Sequence, residues 1–315
     1  MTVRTLKSPP GLLGLYAQAA APLIPGSSLL PFIGGGGGEI PDLELELPGV
    51  RVDPTHLSSY TTACSLTMRE WLPATYPHVL AFPLHMALMT DSSFPFGAIG
   101  LVHISNTITQ HRPLSVEEEL DLKVRATPLE DHPRGRSFSI LSEAHVGGEL
   151  VWEERSTMLR RGRAAGASAD SATAEGKDAG GTIGTSKKEA LPLAAEWRLP
   201  GDLGRRYAAA SGDRNPIHLH NLTAKAFGFP RAIAHGMWTK ARSLAALEQT
   251  LPGAFLVSVQ FRRPILLPAT VAFGSSSEGP ATDFSVTGLS RGTPHLYGHL
   301  EPIEANNTSN GGRAK

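Results

Sequence analysis

A chain of 315 residues is long enough for two domains of ordinary size, each with its own apolar core. Lys plus Arg and Asp plus Glu number 29 each, so no net field draws the chain to nucleic acid or an anionic membrane, and neither is expected as a partner. Cys64, the single cysteine, excludes an intramolecular disulfide framework and any cysteine-rich metal site; a buried, inert thiol in a reducing cytoplasm fits it.

The N-terminal "MTVRTLKSPPGLLGLYAQAAAPLIPG" sets basic residues before an apolar stretch, in the manner of a signal peptide. Pro9, Pro10 and Gly11 break that stretch and Pro22 and Pro25 follow, so a folded amphipathic lead-in is the expectation. No later run is long and apolar enough for a transmembrane span. "GGGGG" at 34–38 lacks the Lys-Ser/Thr pair of a phosphate loop and reads as a connector. Residues 161–190 are almost all Gly, Ala, Ser, Thr and charge, without the large side chains that would anchor them. They predict a disordered linker between a domain over 1–160 and a second over 191–303, with a disordered tail at 304–315.

The two domains carry a faint repeat. "LVHISNTITQHRPLSVEEELDLKVRATPL" reads as strand, a corner at Gln110–Leu114, then strand; "LVSVQFRRPILLPATVAFGS" reads as strand, a corner at Gln260–Ile265, then strand, about 150 residues later. At nearly the same offset "YTTACS" from Tyr60 faces "YAAASG" from Tyr207, and "AFPLHMAL" at 81–88 faces "GFPRAIAHGM" at 228–237. Three matches in one order predict duplicated domains. In the second, Met237, Ala241, Leu244, Ala245 and Leu251 recur at helical spacing, interrupted by Glu248, which predicts a helix with one apolar face. The short runs "AFLVSVQFRR", "TVAFGSSSEG", "TDFSVTGLSR" and "PHLYGHLEPI" that follow predict an antiparallel sheet, and hence an α+β fold with a helix wrapped by each sheet.

Chemistry concentrates in "SGDRNPIHLH" at 211–220. Pro216 keeps Asp213 and His218 off one continuous helix face, while Asn215 as cap and Pro216 at the first helical position predict a short helix through "IHLHNLTAKAF". His218 then sits in the first turn, where the helix dipole disfavours the imidazolium. Asp213, just ahead of the helix, converges on the same space, and a carboxylate with a neutral imidazole can hold a water and move its protons in both directions. The same residue types also make an ordinary capped surface turn. His220 is expected at the surface.

The stretch from Tyr207 through Ser211, Gly212, Asp213, Asn215, Pro216 and His218 to Ala224, followed by "FGFPRAIAHGM", closely resembles the hydratase 2 motif of MaoC-like enoyl-CoA hydratases. That resemblance covers about residues 205–265 and implies a double hotdog fold, an antiparallel sheet wrapped around a central helix in each half. It implies (R)-specific hydration of trans-2-enoyl thioesters, or the reverse dehydration of (3R)-hydroxyacyl thioesters, on coenzyme A or acyl carrier protein in fatty-acid or polyketide metabolism, with no metal or redox cofactor. Carried over by position, Asp213 and His218 are the catalytic pair, Asn215 supports their loop, and Gly236 offers its backbone N–H to the thioester carbonyl. An unpaired amide at a helix start is suited to that task on its own physical merits. Some relatives carry a hydroxyl residue two turns into the central helix; the matching position here is Leu244, and Ser243 beside it points about 100° away, so Ser243 stays outside the expected site.

At an offset of 147 residues Leu66 falls opposite Asp213 and Trp71 opposite His218, so the first half reads as a degenerate, non-catalytic hotdog that completes an internal pseudo-dimer. The arrangement is compatible with a homodimer of whole chains. Freed of catalytic constraints, the first half can lose its own helix and loop constraints and open an apolar acyl tunnel around "WLPATYPHVLAFPLHMALM" at 71–89; ordinary core packing is the other reading of that stretch, and the favoured one. Arg205, Arg206, Lys225, Arg231, Arg262 and Arg263 are the cations near the motif that can meet carrier phosphates. The histidines show no ligand spacing with carboxylates or thiols that would mark a metal site. Two other readings stay open: an acyl-thioester hydrolase on the same architecture, and a non-catalytic acyl-binding subunit.

Overall fold

The computed structural model describes residues 1–20, 38–162 and 191–304; the expected linker, tail and glycine connector lie outside the described residues, apart from Arg161, Gly162, Glu304 and Gly38 at their edges. The first half runs β1 (Thr2–Thr5), α1 (Leu12–Ala20), β2 (Leu43–Val50), α2 (Pro54–Cys64), α3 (Tyr76–Met89), β3 (Val102–Gln110), β4 (Leu120–Ala126), β5 (Glu130–His132), β6 (Gly135–Val146) and β7 (Glu149–Arg161). The second runs β8 (Leu193–Leu199), α4 (Leu203–Ser211), α5 (Pro216–Leu219), α6 (Asn221–Ala226), α7 (Gly236–Ala246), β9 (Phe255–Phe261), β10 (Ala269–Glu278), β11 (Ala281–Gly288) and β12 (Pro294–Pro302).

One sheet of 12 strands spans both halves in the order β1-β2-β4-β6-β7-β3-β9-β12-β11-β10-β8, with β5 on β6. Setting β1 and β5 aside, the two halves follow the same strand order outward from the seam. All pairings are antiparallel except β1 on β2. The halves meet where β3 pairs with β9, Ser105 opposite Gln260 and Gln110 opposite Phe255; a shift of about 150 residues exchanges those two pairs, which is the signature of a two-fold between repeats. Each half packs its sheet on a central helix, α3 against β2, β4 and β6 and α7 against β11. This is the expected α+β double hotdog.

The helices repeat too. Asp53 caps α2 by accepting from Thr55 N at 2.8 Å, Pro54 opens it, and Ser65 ends it in the left-handed region at φ 56°. α4 ends on Gly212 at φ 77°, at the position equivalent to Ser65. Tyr60 and Tyr207, the matched tyrosines, are both buried and meet with ring centroids 6.2 Å apart. The third sequence match fails: residues 81–88 lie within α3, whereas 228–235 form the loop that leads into α7. The predicted strands after α7 and both strand-corner-strand units are present. β2 and β8 lie outside the sequence reading, although Leu43, Leu45 and Leu47 alternate with glutamates and bury as a half-covered strand should.

The one-sided helix needs revision. Met237, Ala241 and Leu244 are buried as expected, but so are Thr239, Lys240 and Ser243. α7 is enclosed, and its polar side faces the other half. Lys240 Nζ donates to Asn106 Oδ1 and to Val257 O at 3.1 Å; Asn106 Nδ2 donates to Glu154 Oε1 and to Ser156 Oγ at 3.0 Å; Glu154 Oε2 accepts from His78 Nδ1 at 2.9 Å. Burial acts to raise the Glu154 carboxyl, but His78 and the Asn106 amide hold it down at about 2. Burial pushes the Lys240 ammonium down to about 7 against the pull of Glu154. Removing one partner leaves the rest of such a chain uncompensated, so Lys240→Met is expected to destabilise the protein by about 3 kcal/mol in urea denaturation.

Candidate active site

The loop between α4 and α5 builds the site. Gly212 closes α4 with a backbone conformation that side chains resist, and a Cβ there would strike Leu12 of α1. Asp213 Oδ1 accepts from Asn215 N at 3.1 Å, an Asx turn that folds the carboxylate back over its own loop. Asn215 caps α5 through Ile217 N at 3.4 Å, and Pro216 occupies the first helical position, as expected. The helix then stops after one turn: His220 is extended at φ −143°, exposed, and separates α5 from α6, so the continuous helix through residue 227 is two pieces. Gly204 of α4 touches the His218 backbone so closely that a Cβ would overlap the carbonyl oxygen.

His218 Nδ1 lies 2.8 Å from Ile233 O and must donate to it, which leaves Nε2 with a free lone pair. Burial lowers the His218 pKa, against the opposing pull of Asp213. A single turn carries little helix dipole, so desolvation, and not the dipole expected of a longer helix, keeps the imidazole neutral. Burial raises the Asp213 pKa, but the combined pull of His235 and His218 keeps the carboxyl below its ordinary range.

Two residues outside the sequence reading complete this cluster. His235 stacks on His218 with centroids 3.6 Å apart and donates from Nε2 to Asp213 O at 3.0 Å. Ligand atoms of Asp213, His218 and His235 all fall within 4.8 Å of one another, close enough to share one water. Tyr16 of α1 donates its O–H to Asp213 Oδ1 at 3.3 Å and accepts from Arg214 N at 2.7 Å, fastening the N-terminal helix over the loop. Burial, reinforced by Asp213, drives the Tyr16 pKa far up, so the phenol stays a donor. Tyr16 carries no local signal, being 197 residues from its acceptor, whereas His235 stands beside Gly236 in the "AHGM" stretch and was within reach of the sequence.

Gly236 is the first residue of α7 and lines the pocket, where its N–H has no acceptor within the helix. A Cβ would come within 3.0 Å of the Phe261 ring, so packing as well as access demands glycine. Ser243 Oγ donates back to Thr239 O at 2.9 Å, within its own helix.

The cavity, about 200 Å³, opens at the seam and is lined from both halves, with Asp213, His218 and Gly236 on one side and α3 on the other. α3 is a full helix, so the first half keeps the central helix expected in each half. Its pocket wall alternates His78, Phe82, His85 and Met89, which departs from the all-apolar tunnel expected there. Arg262 and Arg263 border the cavity; Arg205, Arg206, Lys225 and Arg231 do not, whereas Arg134 and Arg161 of the first half do. Although the sequence shows no metal-ligand spacing, the fold gathers His78, His85 and Glu154 as well as Asp213, His218 and His235. In the first group His78 and Glu154 are paired and His85 Nε2 is 2.7 Å from Ser142 Oγ. Those donors are already engaged in hydrogen bonds. Cys64 is buried, and desolvation pushes its thiol up to about 12, as an inert thiol requires.

Two hotdog halves on one sheet, with an acid, an imidazole and a helix-start amide around a seam pocket, define the dehydratase type of hotdog protein. Residues 184–288 match the model of the MaoC like domain. The chain is 35% identical over 294 residues, 92% of its length and 98% of the relative's, to 3-hydroxyacyl-thioester dehydratase X of Mycobacterium tuberculosis. It is 30% identical over 175 residues, 50% of its length and 56% of the relative's, to the peroxisomal enoyl-CoA hydratase 2 of Arabidopsis thaliana. The crystal structure of HtdX from M. tuberculosis superposes with a TM-score of 0.71 at 33% identity, over 82% of this chain and 100% of that one. The chain belongs to the MaoC-like dehydratase family. No helix among the described residues is long and apolar enough to cross a membrane.

In Tyr16→Phe the carboxylate loses a donor to its charged form, so Asp213 is expected to titrate at higher pH than in the unaltered protein. Carbon NMR of a labelled Asp213 carboxyl measures it; an unmoved titration curve would show that the phenol does not tune this acid.

Proposed function

We propose that the chain catalyses the reversible hydration of trans-2-enoyl thioesters to (3R)-hydroxyacyl thioesters, carried on coenzyme A or acyl carrier protein. The observation that carries this reading is the free Nε2 lone pair of His218 beside the ionised Asp213 at the pocket wall. Of the relatives, one is a 3-hydroxyacyl-thioester dehydratase and the other an enoyl-CoA hydratase, which supports the same chemistry here.

In the hydration direction Asp213 and His218 Nε2 hold one water; its oxygen adds to C3, the pair takes the proton that this water loses, and the same pair returns a proton to C2, so the net addition is one water. Charge that gathers on the thioester oxygen meets the Gly236 N–H. Asn215 keeps the carboxylate in place through its own backbone amide. Water addition is redox-neutral, so the proposed reaction calls for no redox cofactor, and the acid–imidazole pair supplies the proton transfers without a metal-bound water. The arginines at the cavity mouth offer charge partners for carrier phosphates.

Asp213→Ala and His218→Ala are each expected to lower kcat/KM for enoyl-CoA hydration about a thousandfold, followed by loss of enoyl absorbance. Chiral analysis should give the (3R) product; release of free thiol without loss of enoyl absorbance would instead mark a hydrolase. The reaction uses neutral His218, and burial lowers its pKa from 6.5. Activity should therefore persist as pH falls past 6.5 and fail only when the lowered pKa is crossed, which a pH profile of kcat/KM reads directly.

A further inference from the structure

β1 and α1 precede β2, where the repeat begins, yet α1 reaches the site of the second half. Leu12, Leu15, Tyr16 and Ala19 recur at helical spacing and turn inward, while Leu13 and Ala17 stay exposed. Leu12 packs beside Gly212, and Gln18 donates to Thr90 O at 2.8 Å, so the helix is tied both to the catalytic loop and to the end of α3. Tyr16 then reaches the carboxylate itself. Its oxygen accepts from Arg214 N at 2.7 Å, which turns the phenolic hydrogen away from that amide and toward Asp213 Oδ1 at 3.3 Å.

The two oxygens of Asp213 are left unequal. Oδ1 has two donors, the Tyr16 hydroxyl and Asn215 N. Oδ2 has no donor among the described residues: His235 Nε2 is 3.8 Å away, beyond a hydrogen bond, and already serves Asp213 O. The Asp213 side chain keeps 31% of its surface open and lines the cavity, and Oδ2 is not among the polar atoms shut off from solvent. Resting on the reaction proposed above, we infer that Tyr16 is a positioning residue, which occupies Asp213 Oδ1 and so commits Oδ2 to the reacting water. Exchanging the two oxygens by rotation would break both bonds to Oδ1 at once. Oδ2 and His218 Nε2 are then the acceptors left for one water, and a water that donates one hydrogen to each keeps its lone pairs for C3. The phenol is no donor to substrate, because its single hydrogen is already given to Oδ1.

Tyr16→Phe keeps the ring and its packing and removes only the hydroxyl. In steady-state hydration of a trans-2-enoyl-CoA it is expected to lower kcat about tenfold and to leave KM within about twofold, since the lost bond acts on the reacting acid and not on substrate binding. Gln18→Ala removes a tether of α1 and spares the phenol, so it should keep kcat within about twofold whatever it costs in Tm. An unchanged kcat in Tyr16→Phe overturns the inference. A kcat loss of the same size in Gln18→Ala does so too, because docking of the helix and not the hydroxyl would then be responsible. A crystal structure of Tyr16→Phe reads the position without turnover: the Asp213 carboxylate should turn about its Cβ–Cγ bond or take two orientations, and a carboxylate that stays in place overturns the inference. If the unaltered protein hydrates no enoyl thioester, the proposed reaction falls, and that crystal structure alone decides whether Tyr16 holds the carboxylate.

Discussion

Everything in this molecule depends on the ladder between β3 and β9. An edge strand with unpaired backbone groups is a liability, and each half exposes one at its seam; pairing the two satisfies both and makes a single sheet of 12 strands. The register across it is two-fold symmetric, so the central helices are brought to matching places and a cavity forms between them. Backbone pairing alone would tolerate slippage by two residues. The buried chain from Lys240 through Asn106 and Glu154 to His78 does not, because each polar group is enclosed with specific partners from both halves and a slip would strand it.

On that symmetric frame the two halves have diverged. Both keep a helix that ends in a left-handed residue, Ser65 in one and Gly212 in the other. After Gly212 the chain makes the Asp213 turn and a capped helical turn; after Ser65 it runs to Trp71, which is half exposed. The first half has no counterpart of the acid–imidazole pair and contributes a wall of the cavity. Its helix α3 faces the second half's acid and imidazole with side chains of its own, and the Asp213 carboxyl is influenced by His78 across the cavity. Neither half has a complete site alone.

How much of this could be read from sequence divides along contact range. Asp213, Asn215, Pro216 and His218 form a local device, governed by capping and proline rules that act within a few residues, and the structure places them as those rules require. The strands from 255 onward were equally legible, since alternation and turn residues are local too. The alternating leucines of β2 offered the same signal without being used. Tyr16 and Glu154 offered none, because what matters about each is a partner that only tertiary folding supplies. His235 stands in the quoted stretch beside Gly236, but its stacking on His218 is tertiary. Lys240 is the sharpest case. In a helix read by periodicity a lysine marks the wet face, and here that face is enclosed by the other half of the chain.

The same enclosure explains why His218 is fit to be a base. A one-turn helix with an exposed His220 just beyond it has too little dipole to set the protonation of an imidazole. Burial does so instead, and burial at that point comes from several directions: the His235 ring stacked at 3.6 Å, the Ile233 carbonyl on Nδ1, and α4 drawn against the His218 backbone through Gly204. The carbonyl also fixes which nitrogen carries the proton. A free lone pair near neutral pH is therefore a property of the packed domain, and the motif is only the part of that domain which happens to be contiguous in sequence.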